Sequence, residues 1–140
     1  MNNPKNILIL CTGNSARSQM AEALINAQRG TGWHAVSAGT QPAARVNPYA
    51  LQALAEIGIH TDGSRPKHLN EFREQAFDLV VTVCDDAAEN CPVWAGQGKR
   101  VHVGFPDPAK ASGSDDEVLA VFRQVRDDIQ EQLFALLDAQ

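Results

Sequence analysis

The sequence predicts an α/β fold, a four-stranded parallel sheet with helices on both faces, and three observations carry that expectation. Four short runs, Ile7 to Leu10, Trp33 to Gly39, Phe77 to Val83 and Arg100 to Val103, have strand-like composition and are bounded by glycine, proline or polar turn residues. Ile7-Leu8-Ile9-Leu10 and Leu79-Val80-Val81 are unbroken apolar stretches, as expected of strands covered on both faces. Segments with helical spacing of apolar residues intervene, giving the order β-α-β-α-(α)-β-β-α that right-handed parallel crossovers require.

Ile7 to Leu10 reads as a buried strand, and Ala16 to Gln28, small or apolar at Ala16, Met20, Ala23, Leu24 and Ala27, reads as an amphipathic helix. Cys11 therefore opens a strand-to-helix turn. Gly30-Thr31-Gly32 stops the helix, Trp33 to Gly39 forms the second strand, and Gln41 to Val46 is a loop. Asn47-Pro48 supplies an N-cap and a proline at the first helical position, and Ala50, Leu51, Leu54 and Ile57 continue a helix that Gly58 ends. Beyond a loop at 61–66, Leu69 to Ala76 reads as a short helix, and Phe77 to Val83 is the strongest strand, ending at Cys84.

Asp85 to Asn90 tolerate a helix, Cys91 precedes Pro92, and 93–98 lead to the strand Arg100 to Val103. Gly104 closes that strand, and Phe105-Pro106-Asp107-Pro108 holds a rigid, proline-flanked aspartate at the same sheet edge. Ser114 and Glu117 form a capping-box pair. They start a long closing helix marked by Val118, Val121, Phe122, Val125, Ile129, Leu133, Leu136 and Leu137. The first strand is expected at the centre of the sheet, with its carboxyl end at a switch point where ligands bind.

A chain of 140 residues fits one domain, 1–140, that buries about two-thirds of its unfolded surface without a metal or disulfide. A net charge of −5 counts against a nucleic-acid partner and leaves room for a local positive pocket that takes a small anion. Met1 to Lys5 precede only a short apolar run, so neither a signal peptide nor a membrane span is expected, and the cytoplasm is the expected compartment, with the protein a monomer. Three cysteines, an odd number in a chain without an export signal, argue for thiol chemistry rather than a disulfide framework. Cys11, Cys84 and Cys91 contain no Cys-x2-Cys pair and the four histidines are scattered, so no metal is expected.

The chemistry concentrates in Cys11-Thr12-Gly13-Asn14-Ser15-Ala16-Arg17-Ser18. Successive N–H groups between a strand and a helix start can converge on an anion, with the helix adding positive partial charge. Arg17 suits two oxygens of a tetrahedral anion because its planar fork is bidentate and permanently charged. The same field favours the thiolate of Cys11, to which Ser18 can donate a hydrogen bond. Cys11, Arg17 and Asp107 thus match a nucleophile, an oxyanion clamp and a general acid acting at a tetrahedral centre, with phosphate and arsenate equally suited. Cys84 and Cys91 separate the two: a hydrolase needs one nucleophile and water, whereas a two-electron reduction needs thiols that end as a disulfide. A helix over 84–91 would hold their Cα atoms about 10 Å apart, beyond the roughly 7 Å limit for a bridge, so oxidation must remodel that segment.

Through Cys11 to Ser18, Val80-Val81-Thr82-Val83-Cys84, Asn90-Cys91-Pro92 and Asp107-Pro108, nearly the whole chain resembles the thioredoxin-coupled arsenate reductases, a family on the low-molecular-weight protein tyrosine phosphatase fold. The resemblance implies that Cys11 attacks arsenate while Asp107 protonates the departing hydroxyl, in a loop formed by Thr12 to Ser18. It further implies that Cys84 attacks Cys11 to release arsenite, that Cys91 attacks Cys84, and that thioredoxin reduces the resulting disulfide, with phosphate a competing anion and no tightly bound cofactor. Many relatives carry a further cysteine where this chain has Ala16, and the implied relay uses the other three. Some relatives hold potassium beside the loop. Asn14, Glu22 and Ser37 match such a site, but Ser64-Arg65-Pro66-Lys67-His68 lacks the acidic residue it needs, and Lys67 is the expected substitute for the cation. A phosphotyrosine phosphatase is the alternative, although such enzymes follow the Asp-Pro with tyrosine where Ala109 and Lys110 stand here. A non-catalytic oxyanion or redox sensor would use the same loop and thiols but stop after one equivalent.

Overall fold

The computed structural model describes residues 3–61, 63–85 and 94–140. Its strands are β1 (Lys5–Cys11), β2 (Trp33–Gly39), β3 (Leu79–Thr82) and β4 (Lys99–His102), and its helices α1 (Arg17–Gln28), α2 (Pro48–Ala55) and α3 (Asp115–Asp138). One-turn 3-10 helices occupy Leu69–Phe72 and Pro108–Lys110. The strands pair in the order β2-β1-β3-β4, all parallel, which puts β1 in the interior as its unbroken apolar run requires.

Side chains alternate across β1. Ile7, Ile9 and Cys11 enter the larger core with α1, α2 and α3, while Leu8 and Leu10 enter a smaller one with Leu69, Phe77, Val80 and Trp94. Among the described residues, all three α-helices thus cover one face, and the helical cover on the other is the turn Leu69–Phe72. The Leu69 to Ala76 helix expected from sequence is shorter than its composition implied. Phe72 and Phe77 meet edge to face, at 6.3 Å and 70°, and Phe77 meets Trp94 at 5.8 Å and 74°, so aromatic packing rather than helix length seals this face.

Other boundaries shift for identifiable reasons. β3 pairs over Leu79–Thr82 rather than Phe77 to Val83, because Phe77 packs away from the ladder and the Asp78 carboxylate accepts from the Asn6 backbone N–H at 2.8 Å. β4 begins one residue before its expected start and ends at His102. α1 is not a simple amphipathic helix: Arg17 to Ala21 and Ala23 to Ile25 are all buried, whereas Ala27 is exposed. Its first turn is enclosed because it supports the loop that precedes it. In α3 the capping box of Ser114 and Glu117 forms as expected, but Val121 faces solvent while Leu119 and Phe134 are buried. Asn47 caps α2 by accepting from the Tyr49 N–H, and Gly58 takes a left-handed φ of 80° after the helix.

Candidate active site

The loop between β1 and α1 is shaped by its carbonyls. Thr12 O accepts from Gln41 N, Gly13 O from Ala43 N, Ser15 O from Asn47 N and Ala16 O from Met20 N, at 2.9 to 3.0 Å. Asn14 O accepts from the Gln19 side-chain amide at 3.2 Å. A cleft of about 190 Å³ is lined by Cys11 to Arg17, Asp107 and Ala109, and none of these five donors borders it. The carbonyls of residues 12 to 16 are therefore drawn away from the cleft. In a trans peptide the N–H lies antiparallel to the preceding C=O, and no peptide here is cis. The N–H groups of Gly13, Asn14, Ser15, Ala16 and Arg17 consequently turn toward the cleft. Ala16, at the N-cap of α1, offers no side-chain cap, so the helix start adds its partial positive charge to the same space.

Asn14 makes the tight turn possible. It adopts φ 50°, in the left-handed region that asparagine tolerates better than most residues, and is fully buried. Its Nδ2 donates to Ser18 Oγ at 2.7 Å and Ser37 Oγ at 2.9 Å, while its Oδ1 accepts from Gln19 Nε2 at 3.1 Å and the Lys67 backbone N–H at 2.8 Å. All four hydrogen-bonding positions of this amide are engaged. Gly39, at the end of β2, lies against the loop so closely that a Cβ there would meet Thr12 O at 2.3 Å.

Arg17, 4% exposed, donates from Nη1 to Phe105 O at 3.1 Å and brings Nη2 to 3.8 Å from Asp107 Oδ2. Asp107 is itself fixed: its Oδ1 accepts from the Ala109 N–H at 3.0 Å, and Pro108 starts the 3-10 turn that supplies that donor. Cys11, 2% exposed and a free thiol, lies at the base of the cleft. The structure thus brings Cys11, Thr12, Gly13, Asn14, Ser15, Ala16, Arg17 and Asp107 around one cavity. Ser18 is not on that surface; it is fully buried and bonded to Asn14.

Cys84 follows β3, the neighbour of β1, and the Val83 N–H continues the ladder by donating to Leu10 O at 2.9 Å. It is fully buried and disulfide-bonded. Cys91, and most of the 84–91 segment expected to remodel, lie outside the described residues.

Sequence reasoning did not single out Gln19, the Phe105 carbonyl or the 41–47 segment. Gln19 carried little signal, since it is one of three polar residues, with Arg17 and Ser18, in the first turn of α1. The backbone partners carried none, because any residue type supplies a carbonyl or N–H.

A family model described as low molecular weight phosphotyrosine protein phosphatase matches residues 6–140. The chain is similar to the arsenate reductase of Halalkalibacterium halodurans, 49% identical over 127 residues that cover 91% of each chain. It is also similar to the arsenate reductase of Bacillus subtilis, 43% identical over 129 residues that cover 92% of each. Among solved structures it resembles the arsenate reductase from Archaeoglobus fulgidus at 34% identity, with a TM-score of 0.75 and coverage of 94% of this chain and 98% of that one.

Proposed function

This chain belongs to the low molecular weight phosphotyrosine protein phosphatase family, and on that premise we propose that it reduces arsenate to arsenite by a relay through Cys11, Cys84 and Cys91, regenerated by thioredoxin. The inward N–H groups and Arg17 bind the oxyanion. The Cys11 sulfur attacks arsenic and Asp107 gives a proton to the departing hydroxyl, leaving an arsenic–sulfur adduct. Cys84 attacks the Cys11 sulfur, the sulfur–arsenic pair of electrons passes to arsenic, and arsenite leaves. Cys91 then displaces Cys11 from Cys84, and a dithiol donor, thioredoxin, reduces the Cys84–Cys91 disulfide.

The observation that carries this reading is the placement of two sulfurs at the carboxyl ends of neighbouring strands, one at the base of an anion-shaped cleft. The ladder continues with Val83 opposite Cys11, and the two share the larger core, so the Cys84 sulfur reaches Cys11 by a movement of the backbone at Cys84, which the proposed relay requires. The curated relatives named arsenate reductase support the choice of substrate. One domain over residues 1–140, acting as a monomer in the cytoplasm, completes the proposal.

Potassium does not fit the oxygens beside the loop. Asn14 Oδ1 is taken by Gln19 and Lys67, and Ser37 Oγ accepts from Asn14 and donates to Glu22 Oε1 at 3.1 Å. The Lys67 ammonium, only 13% exposed, stands 3.5 Å from Glu22 Oε1 and donates to Arg65 O at 3.2 Å. It neutralises the carboxylate a cation would otherwise need to balance. Turnover and melting temperature at fixed ionic strength are expected to be the same in potassium and sodium salts, and a specific potassium response would overturn this assignment.

The test of the relay is arsenite production over many turnovers with thioredoxin, thioredoxin reductase and NADPH, paired with disulfide mapping by mass spectrometry. Cys91→Ser is expected to complete one turnover and stall as a Cys11–Cys84 disulfide. Continued turnover by that variant would remove Cys91 from the pathway, and para-nitrophenyl phosphate hydrolysis far faster than arsenate reduction would favour a phosphatase.

A further inference from the structure

We infer that Gln19 is a positioning residue for the oxyanion: by holding the Asn14 carbonyl away from the cleft, it turns the Ser15 N–H toward the anion. This rests on the oxyanion reading of the cleft above. Of the five loop carbonyls that face away from the cleft, those of Thr12, Gly13, Ser15 and Ala16 are held by backbone N–H groups. The Asn14 carbonyl is held by a side chain, Gln19 Nε2, at 3.2 Å. Among the described contacts it is the cradle carbonyl held by a side chain, so that its orientation depends on a residue's identity, and it belongs to the residue in the left-handed conformation.

Gln19 is built for that task. It is 3% exposed, and its amide lies 2.9 Å from Arg65 O, 3.1 Å from Asn14 Oδ1 and 3.2 Å from Asn14 O. Two N–H bonds serve three oxygens, one directed to Arg65 and the other shared between the two oxygens of Asn14. The loop, α1 and the 65–67 segment are thereby joined at one side chain, and the Lys67 N–H reinforces the link through Asn14 Oδ1. Without the Nε2 donor the Asn14 carbonyl is an unsatisfied acceptor, and rotation of the 14–15 peptide, toward N–H groups that otherwise await the anion, would satisfy it. That rotation removes one donor and places a carbonyl oxygen against the substrate.

The experiment uses Gln19→Met, which keeps length and apolar bulk but has no donor, and Gln19→Glu, which keeps the shape and replaces the donor by an acceptor. Amide chemical shifts are followed while inorganic phosphate is added to the reduced protein, with arsenate KM and kcat measured in parallel. In the unmodified protein the Gly13 and Ser15 amide protons are both expected to move downfield. In either variant the Gly13 response is expected to persist and the Ser15 response to vanish, with phosphate affinity falling about tenfold, as for loss of one hydrogen bond to a charged group. KM should rise more than kcat falls. An undiminished Ser15 response with unchanged affinity overturns the role of Gln19 alone. Equal loss at Gly13 and Ser15, or failure of both variants to fold, assigns Gln19 to general structure and overturns the inference. Absence of any phosphate response in the unmodified protein overturns the oxyanion reading itself.

Discussion

Asp107 divides two tasks between the oxygens of one carboxylate. Oδ1 is committed to the Ala109 N–H, and Oδ2 faces the cleft 3.8 Å from Arg17. The N-capping bond sets the rotamer, and Pro108 sets the turn that supplies it, so the second oxygen is left toward Arg17. Asp107→Asn preserves the shape and removes the proton that the proposed mechanism gives to the departing hydroxyl. Arsenate turnover is expected to fall about 10² to 10⁴-fold, the usual contribution of general acid catalysis, without weakening phosphate inhibition, since the anion loses a negative neighbour. Turnover within threefold of the unmodified protein would assign the proton to another donor. That Cys11, Arg17 and Asp107 meet at one cleft was legible in the sequence, because the spacing of the first two fixes a strand, a turn and a helix start and the prolines beside Asp107 hold it at the same sheet edge. The support of the loop was not: Thr12, Gly13 and Ser15 are held by N–H groups of 41–47, and main-chain donors leave no trace in composition.

At the scale of elements, caps and periodicity were legible because they are local. The Asn47 cap, the Ser114–Glu117 box and the centres of all three α-helices follow from residues within one or two turns of each other. What joins α2 to α3 lies 67 residues apart in the chain: Glu56 accepts from Arg123 Nε at 2.8 Å and Nη2 at 2.6 Å, and from Arg126 Nη1 at 3.4 Å. Arg126, 8% exposed, also donates to Ala53 O at 2.8 Å, so an arginine on the apolar stripe of α3 closes the last turn of α2. The Arg123 hydrogen bond, ahead of an opposing desolvation effect, holds the Glu56 carboxyl below its ordinary value of 4.5. A depressed carboxylate adds stability that is present above the unfolded value and is lost as pH falls through the folded one. Melting temperatures from pH 7 down to pH 3 are therefore expected to fall more steeply for the unmodified protein than for Glu56→Gln, the two converging below pH 4. Parallel curves would show that the pair contributes nothing measurable, as many exposed pairs do.

Across the whole molecule, one interior strand, β1, ends at Cys11, and Cys84 lies two residues past the end of the other, β3. The order β2-β1-β3-β4 makes β1 and β3 neighbours although 67 residues separate their ends, Cys11 and Leu79 standing on either side of α1, β2 and α2. Legibility at this scale was partial. Four strands followed from strand-like composition between turn residues and a central β1 from its unbroken apolar run, because a strand covered on both faces lacks polar positions, but the unequal cover of the two faces did not follow, because it depends on how Phe72, Phe77 and Trp94 interlock. The adjacency of β1 and β3 has a consequence that separates reduction from ester cleavage within one cleft. In the proposed relay, anion binding and the first displacement use the loop, Arg17, Cys11 and Asp107, which line one cleft, whereas release of arsenite needs a second sulfur from beyond the neighbouring strand. Cys84→Ser is expected to bind phosphate as the unmodified protein does and still hydrolyse a small phosphate ester at whatever rate the cleft allows, yet to release no arsenite above background over many hours with a dithiol donor present. A fold defect would lower all three readings together, and arsenite release at more than about a tenth of the original rate, a loss of only 1.4 kcal/mol in barrier terms, would mean that the donor attacks Cys11 directly and that the pairing of the two interior strands has no part in the chemistry.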